Sequence, residues 1–252
     1  MRLTVLGCSG TFPGAHSGCS SYLVEEDGFR LLLDMGNNAT GALQRHAPLF
    51  GVDAVFITHA HADHCIDLVA YSYARRYVPP GFEPTPEPLP VYAPAGMHDR
   101  LMRCYEHEPE DRLGSVYSFR EVRGGQVLDV GPFRLDLARV EHPVECNAVR
   151  LSSGGRSLTY SGDTGESGAL VELARGTDLA LLEASWYDGD DNPPGVHLTA
   201  GQAGAHAARA DAGRLLLTHL TPWCDPDRSA EEATRAYSGA MTVASAGAVI
   251  DV

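Results

Sequence analysis

Hydrophobic and polar positions fall into short bursts along the chain, most of them of strand length. Residues 2–6, 22–26 and 29–34 are apolar runs set between turn formers: a Gly/Ser loop over 7–21, Glu26-Asp27-Gly28, and Gly36-Asn37-Asn38. This spacing predicts a strand meander rather than alternating strand and helix. A helix over 39–46, a buried strand over 54–58 and a helix over 66–77 follow. Residues 79–94 hold seven of the sixteen prolines, which excludes regular helix or central strand and predicts a rigid loop. Strand-like sequence resumes at 90–92.

The second half repeats the rhythm. Strands are predicted over 126–130, 133–139, 148–152 and 157–161, a helix over 168–174, and a strand over 179–183. An Ala-rich helix over 199–210, a strand over 214–218 and a helix over 230–237 complete it. Strand meanders closed by helices predict an α/β (α+β) chain, a four-layer αββα sandwich with two sheets face to face and helices outside. The length suits one domain, residues 1–252.

Composition narrows the function. The chain carries 33 acidic and 19 basic side chains, a net charge of −14, and every one of those bases is Arg. Such a chain is ill suited to coating long nucleic acid or an anionic membrane, where Lys and Arg supply the attraction. No apolar run approaches the ~18 residues of a membrane helix. No secretory signal is visible, and the six cysteines show no Cys-x-x-Cys pair. A cytoplasmic protein with reduced thiols is expected.

Eleven histidines are unevenly placed. Thr58-His59-Ala60-His61-Ala62-Asp63-His64 follows an apolar strand and puts four candidate ligands within six residues. Imidazole and carboxylate are ligands for zinc and its neighbours, and the small alanines let the turn close tightly. His142, Asp163 and His219 each stand at a predicted strand end, where separate strands can converge on one point. His16, His46, His98, His107 and His206 show no pattern and stay unassigned.

Residues 58–64 resemble the His-x-His-x-Asp-His motif of the metallo-β-lactamase superfamily. His142, Asp163 and His219 match its remaining ligand positions in order, and Asp34 in Leu-Leu-Leu-Asp-Met-Gly matches its first motif. The resemblance implies the fold of that superfamily and two divalent metal ions, with zinc the first choice and manganese or iron allowed. His59, His61 and His142 would hold one ion, and Asp63, His64 and His219 the other. Asp163 would bridge them, and Asp63 counts among the catalytic groups as well.

Leu-Leu-Glu183-Ala-Ser, with Val-His197-Leu-Thr downstream, resembles the ribonuclease Z-like phosphodiesterase branch. There His197 would serve as general acid for the leaving alkoxide and Glu183 would orient it. Tyr-Ser-Gly-Asp-Thr-Gly, Glu-Ala-Ser-Trp and Leu-Leu-Leu-Thr-His further resemble the atypical class II-like cyclic nucleotide phosphodiesterases of actinobacteria. The resemblance implies hydrolysis of 3′,5′-cyclic AMP or a related phosphodiester, a small anionic substrate. Transfer-RNA processing fits less well. That activity goes with a long substrate arm, whereas only 21 positions separate His142 from Asp163.

Alternatives stand beside this reading. The same metals can hydrolyse a lactone, thioester or lactam without an imidazolium acid. A metal-binding scaffold without catalysis would more often have lost ligands. Gly7-Cys8-Ser9-Gly10-Thr11 is either a backbone cradle for an anion or a tight inter-strand turn. Trp186, Tyr187 and Trp223 either stack on a base or pack in the protein. Residues 79–94 either wall the pocket or form a dimer contact, and a homodimer is expected. Cys65 is read as a small buried apolar side chain.

Overall fold

The computed structural model describes residues 1–78, 81, 87–105 and 111–252. Seven residues of the Pro-rich stretch 79–94, and His107, lie outside the described residues. The first half contains β1 (Arg2–Ser9), β2 (Gly18–Cys19), β3 (Ser21–Glu26), β4 (Phe29–Leu33), α1 (Ala39–Leu43), β5 (Ala54–Phe56), α2 (Ala62–Cys65), α3 (Asp67–Arg76), β6 (Leu89–Ala93), α4 (Met97–Met102) and β7 (Tyr117–Glu121). The second contains β8 (Val127–Val130), β9 (Phe133–Arg139), β10 (Asn147–Ser153), β11 (Arg156–Tyr160), α5 (Gly168–Leu173), β12 (Leu179–Glu183), α6 (Ala200–Arg209), β13 (Arg214–Thr218), α7 (Pro226–Thr234), β14 (Ala240–Val243) and β15 (Val249–Asp251).

Each half opens as an antiparallel meander and then turns parallel. One sheet runs β15-β1-β3-β4-β5-β6-β7, with β2 beside β1, and the other runs β14-β13-β12-β11-β10-β9-β8. Pairing is antiparallel through β1, β3 and β4, and parallel from β4 to β7. It is likewise antiparallel from β8 to β11 and parallel from β11 to β14. A parallel neighbour needs a crossover, and α5, α6 and α7 supply those of the second sheet.

Strand side chains alternate between two buried surfaces, so both faces of each sheet must be covered. Leu31, Leu33 and Phe56 point between the sheets, where they meet Leu135, Val149, Leu158 and Leu181. Leu32 and Val55 face α1, α3 and α4 with Leu68 and Met97. Ala180, Leu182, Leu215 and Leu217 face the small side chains of α6, Ala203 and Ala207. The layer order is therefore αββα, as the strand pattern predicts.

Two expectations need correction. The last helix runs Pro226–Thr234, not 230–237, because Asp225 accepts the Asp227 N–H and Pro226 occupies the first turn. The end of the Pro-rich stretch does form a central strand, since β6 lies between β5 and β7. Pro90 is tolerated because β5 is short: pairing with β6 begins at Val55 opposite Val91, so the position before needs no donor on that side. Leu89 meanwhile gives its N–H to Val116 O on the β7 side.

Candidate metal centre

The C-terminal ends of β1, β4, β5, β9, β11, β12 and β13 point to one edge of the sandwich. The loops that leave them carry all seven predicted ligands. Nitrogen or oxygen atoms of His59, His61, His142 and Asp163 lie within 4.8 Å of one another, as do those of Asp63, His64, Asp163 and His219. Asp163 divides its oxygens between the sets. Oδ2 lies 3.5 Å from His59 Nε2, and Oδ1 lies 3.1 Å from His64 Nε2 and 3.4 Å from His219 Nε2.

These atoms fit divalent ions. His61 Nδ1 stands 3.1 Å from His59 Nε2 and 3.2 Å from His142 Nε2, and His64 Nε2 stands 3.1 Å from His219 Nε2. A tetrahedral ion with bonds of roughly 2.0–2.1 Å needs ligand atoms roughly 3.3 Å apart. Asp163 Oδ1 is buried and makes no hydrogen bond, although His64 Nε2 is close. Burial lowers the pKa of His59, His61 and His142, which keeps their lone pairs free. At His64 burial opposes the charge, but Asp163 and Asp34 outweigh it and raise the pKa. Asp163, also opposed by burial, is held well below the usual carboxylate range by His219, His64 and His59.

The outward nitrogens fix the tautomers. His64 Nδ1 lies 2.7 Å from Asp34 Oδ2, His142 Nδ1 lies 2.8 Å from Val196 O, and His219 Nδ1 lies 2.8 Å from Ser185 Oγ. His59 Nδ1 is 3.0 Å from Thr58 Oγ1. A histidine whose Nδ1–H is engaged this way presents Nε2 to a metal. Asp34 also accepts the Thr58 N–H and hydroxyl and the Tyr160 hydroxyl.

Backbone shape supports the same point. Thr11, Asp34 and His219 all have left-handed φ, 65°, 60° and 56°, a cost of roughly 1–3 kcal/mol each that the surrounding contacts must offset. Gly36 is required where the loop after β4 crosses α2, since a Cβ there would lie 1.9 Å from Asp63 O. Residues 7–11, predicted as loop, are the end of β1 and the turn after it, and they commit their amides within the protein rather than to an anion. The Gly10 N–H goes to Leu220 O and the Thr11 N–H to Asp63 Oδ2, so this segment positions a predicted ligand. Cys65 is buried, donates to His61 O, and has its thiol pushed up to about 12 by burial, as befits a packing residue.

Glu183 and His197 meet beside the cluster. His197 Nδ1 lies 2.9 Å from Glu183 Oε1 and 3.9 Å from Asp163 Oδ2. Burial works against the imidazolium, but Glu183 outweighs it by charge and hydrogen bond, and the pKa rises to about 9. Glu183 is fully buried and also accepts the Thr164 N–H and the Ser185 hydroxyl. Thr58, Tyr160, Thr164 and Ser185 fall inside motifs that the sequence shows, but their supporting bonds to Asp34, Glu183 and His219 are revealed only by the folded chain.

His197 and Trp186 form part of the wall of a cleft of about 610 Å³, with Glu141, Glu166, Asp188 and Asp190 around it. Their rings meet edge to face, with centroids 5.0 Å apart. Of the other aromatics, Tyr187 lies under the Arg228 guanidinium, and its hydroxyl accepts the Asp225 N–H. Trp223 is 73% exposed and packs on Phe12.

Residues 29–220 match the model of the Beta-lactamase superfamily domain. An uncharacterized protein of Mycobacterium leprae is 38% identical over 257 residues, covering 100% of this chain and 89% of that protein. The probable metallo-hydrolase YhfI of Bacillus subtilis is 28% identical over 255 residues and 99% of both chains. Its crystal structure, that of a metallo-beta-lactamase fold protein, covers 99% of this chain and 98% of its own with a TM-score of 0.86. Ribonuclease Z of Myxococcus xanthus is 28% identical over 307 aligned positions, covering 100% of this chain and 98% of that enzyme. The chain belongs to the beta-lactamase superfamily and is a metal-dependent hydrolase.

Proposed function

We propose that this hydrolase is a phosphodiesterase for small substrates, with 3′,5′-cyclic AMP or a related cyclic nucleotide the first candidate. Two divalent ions, zinc foremost, would be held by His59, His61 and His142 and by Asp63, His64 and His219, with Asp163 between them. Ions so held supply Lewis-acid polarisation of a phosphoryl oxygen and a water-derived nucleophile at neutral pH. The observation that carries the reading is the Glu183–His197 pair, 2.9 Å apart beside that ligand set. His197 donates a hydrogen bond from Nδ1–H to Glu183, and its Nε2–H is then the proton it can give to an alkoxide, a leaving group too basic to depart unaided.

Further features favour a small substrate over transfer RNA. The interval from His142 to Asp163 is a plain hairpin, β10 and β11, with no room for a substrate arm. The Myxococcus ribonuclease aligns over 307 positions against 252 in this chain, so it carries segments this chain lacks. The cleft wall at His197 holds four carboxylates, a poor seat for further phosphates.

The test is a panel of cyclic nucleotides, bis(p-nitrophenyl) phosphate, acyl-homoserine lactone and nitrocefin on protein of measured metal content. His197→Ala should lower phosphodiester turnover by about 10²–10⁴-fold while its metal content holds. Rapid turnover of the lactone or lactam with phosphodiesters untouched would overturn the reading. So would a His197→Ala protein that loses metal but keeps its rate per metal.

A further inference from the structure

The carboxylate that holds the proposed acid also reaches a proposed metal ligand, and one hydroxyl makes the link. Ser185 lies two residues beyond β12 and is 1% exposed. Its Oγ is 2.8 Å from His219 Nδ1 and 3.0 Å from Glu183 Oε2. A serine hydroxyl has one proton and two lone pairs. A carboxylate accepts a hydrogen bond more strongly than a carbonyl does, so the proton goes to Glu183 rather than to His219 O at 3.1 Å. The lone pairs of Oγ then accept Nδ1–H of His219. That chain fixes the His219 tautomer, with the Nε2 lone pair turned toward Asp63 and Asp163. At the other end Glu183 Oε1 accepts from His197 Nδ1 and from the Thr164 amide. Thr164 follows Asp163 directly, so the two residues proposed to bind the second ion from β11 and β13 are tied to one buried carboxylate.

We infer that Ser185 is a positioning residue: it locks His219 for the ion bound by Asp63, His64 and His219, and couples that ion's site to the His197–Glu183 pair. The other set does not depend on it, because His59 and His142 are oriented by Thr58 and by Val196 O. The inference rests on the two-ion reading above, which has its own check: wild-type protein must bind two equivalents in a metal titration. If it binds fewer, that reading fails before any variant is made.

Given two equivalents, Ser185→Ala should weaken one of them about 10–100-fold, the usual cost of losing a partner behind a metal ligand, and leave the other at its wild-type affinity. Competition against a chromophoric chelator reads both without using activity. Ser185→Thr keeps the hydroxyl and should restore the wild-type titration. If Ser185→Ala does not fold, Ser185→Cys, nearly isosteric with a weak sulfur partner, should show the same selective loss. Coupling is read by combining Ser185→Ala with His197→Ala: the loss in affinity from the first should change when His197 is absent. Wild-type titration in Ser185→Ala, equal weakening of both equivalents, or strict additivity with His197→Ala would overturn the inference.

Discussion

At the residue scale, histidines with opposite jobs can be told apart by what their second nitrogen does. His206 in α6 is buried, lies 2.8 Å by its Nδ1 from Gln202 O, and accepts the Ser167 N–H at Nε2. Ser167 caps α5 four residues after Asp163. Burial lowers the His206 pKa, because a proton on Nε2 would have no acceptor there. The unfolded chain takes that proton near pH 6.5, the folded chain only at lower pH. The stability contribution is therefore present above about pH 6.5 and is lost as the pH falls toward the folded pKa. His206→Gln supplies an amide oxygen for the Ser167 N–H and cannot titrate. Its metal-free melting point should fall less between about pH 7 and pH 5.5 than the wild-type value does, by about 2–4 °C for each kcal/mol of linked stability. All other ionisable groups are common to both proteins and their contributions cancel, so equal falls would refute the assignment. The seven proposed ligands, which the fold brings together, were legible in the sequence because type, spacing and strand-end position coincide. His206 and Ser185 were not, since a lone imidazole or hydroxyl acquires meaning only from partners far along the chain.

At the element scale, the site depends on how α6 begins. Thr199 caps it, accepting the Gln202 N–H, while the Gln202 side chain accepts the Thr199 N–H. The Thr199 hydroxyl in turn donates to Asp188, and Trp186 pairs with Thr199 through an isolated bridge. His197 sits two residues ahead of this cap. Thr199→Ala should thus cost about 1 kcal/mol of stability and lower turnover, with metal affinity weakened at most at the His142 side, where Val196 O orients the ring. A thermal melt, a rate and a metal titration separate these effects. A rate that follows only the folded fraction would show that the cap stabilises without positioning. Elements with strong periodicity, β12 and β13 among them, stand at the predicted residues. The edge strands β7, β14 and β15 are absent from the sequence reading because Tyr117–Glu121, Ala240–Val243 and Val249–Asp251 are short and partly exposed, too brief for any alternation to stand out from a loop. α7 starts ahead of the predicted 230–237 because Asp225 caps it and Pro226 opens its first turn.

At the scale of the whole molecule, the surplus of acid and the proposed phosphate chemistry are compatible only if the charge is distributed. The ligand cluster gathers histidines and two buried aspartates that bound cations would neutralise. The adjoining cleft keeps Glu141, Glu166, Asp188 and Asp190. A substrate with one phosphodiester can place its negative charge at the cluster and its uncharged part in the cleft. A substrate with a second phosphate must set it among carboxylates. Two unit charges roughly 8 Å apart in water repel by about 0.5 kcal/mol, so relieving two such contacts is worth about a fivefold rate change. Glu166→Gln combined with Asp190→Asn should therefore raise kcat/KM about fivefold for a dinucleotide bearing a terminal phosphate, and much less for cyclic AMP. The gain should shrink as salt rises, because screening reaches about 10 Å at 0.1 M. An equal gain on both substrates would mean the carboxylates act on the cluster itself. No gain on either would mean the cleft does not receive the leaving group, and the small-substrate preference would have to come from the missing arm alone.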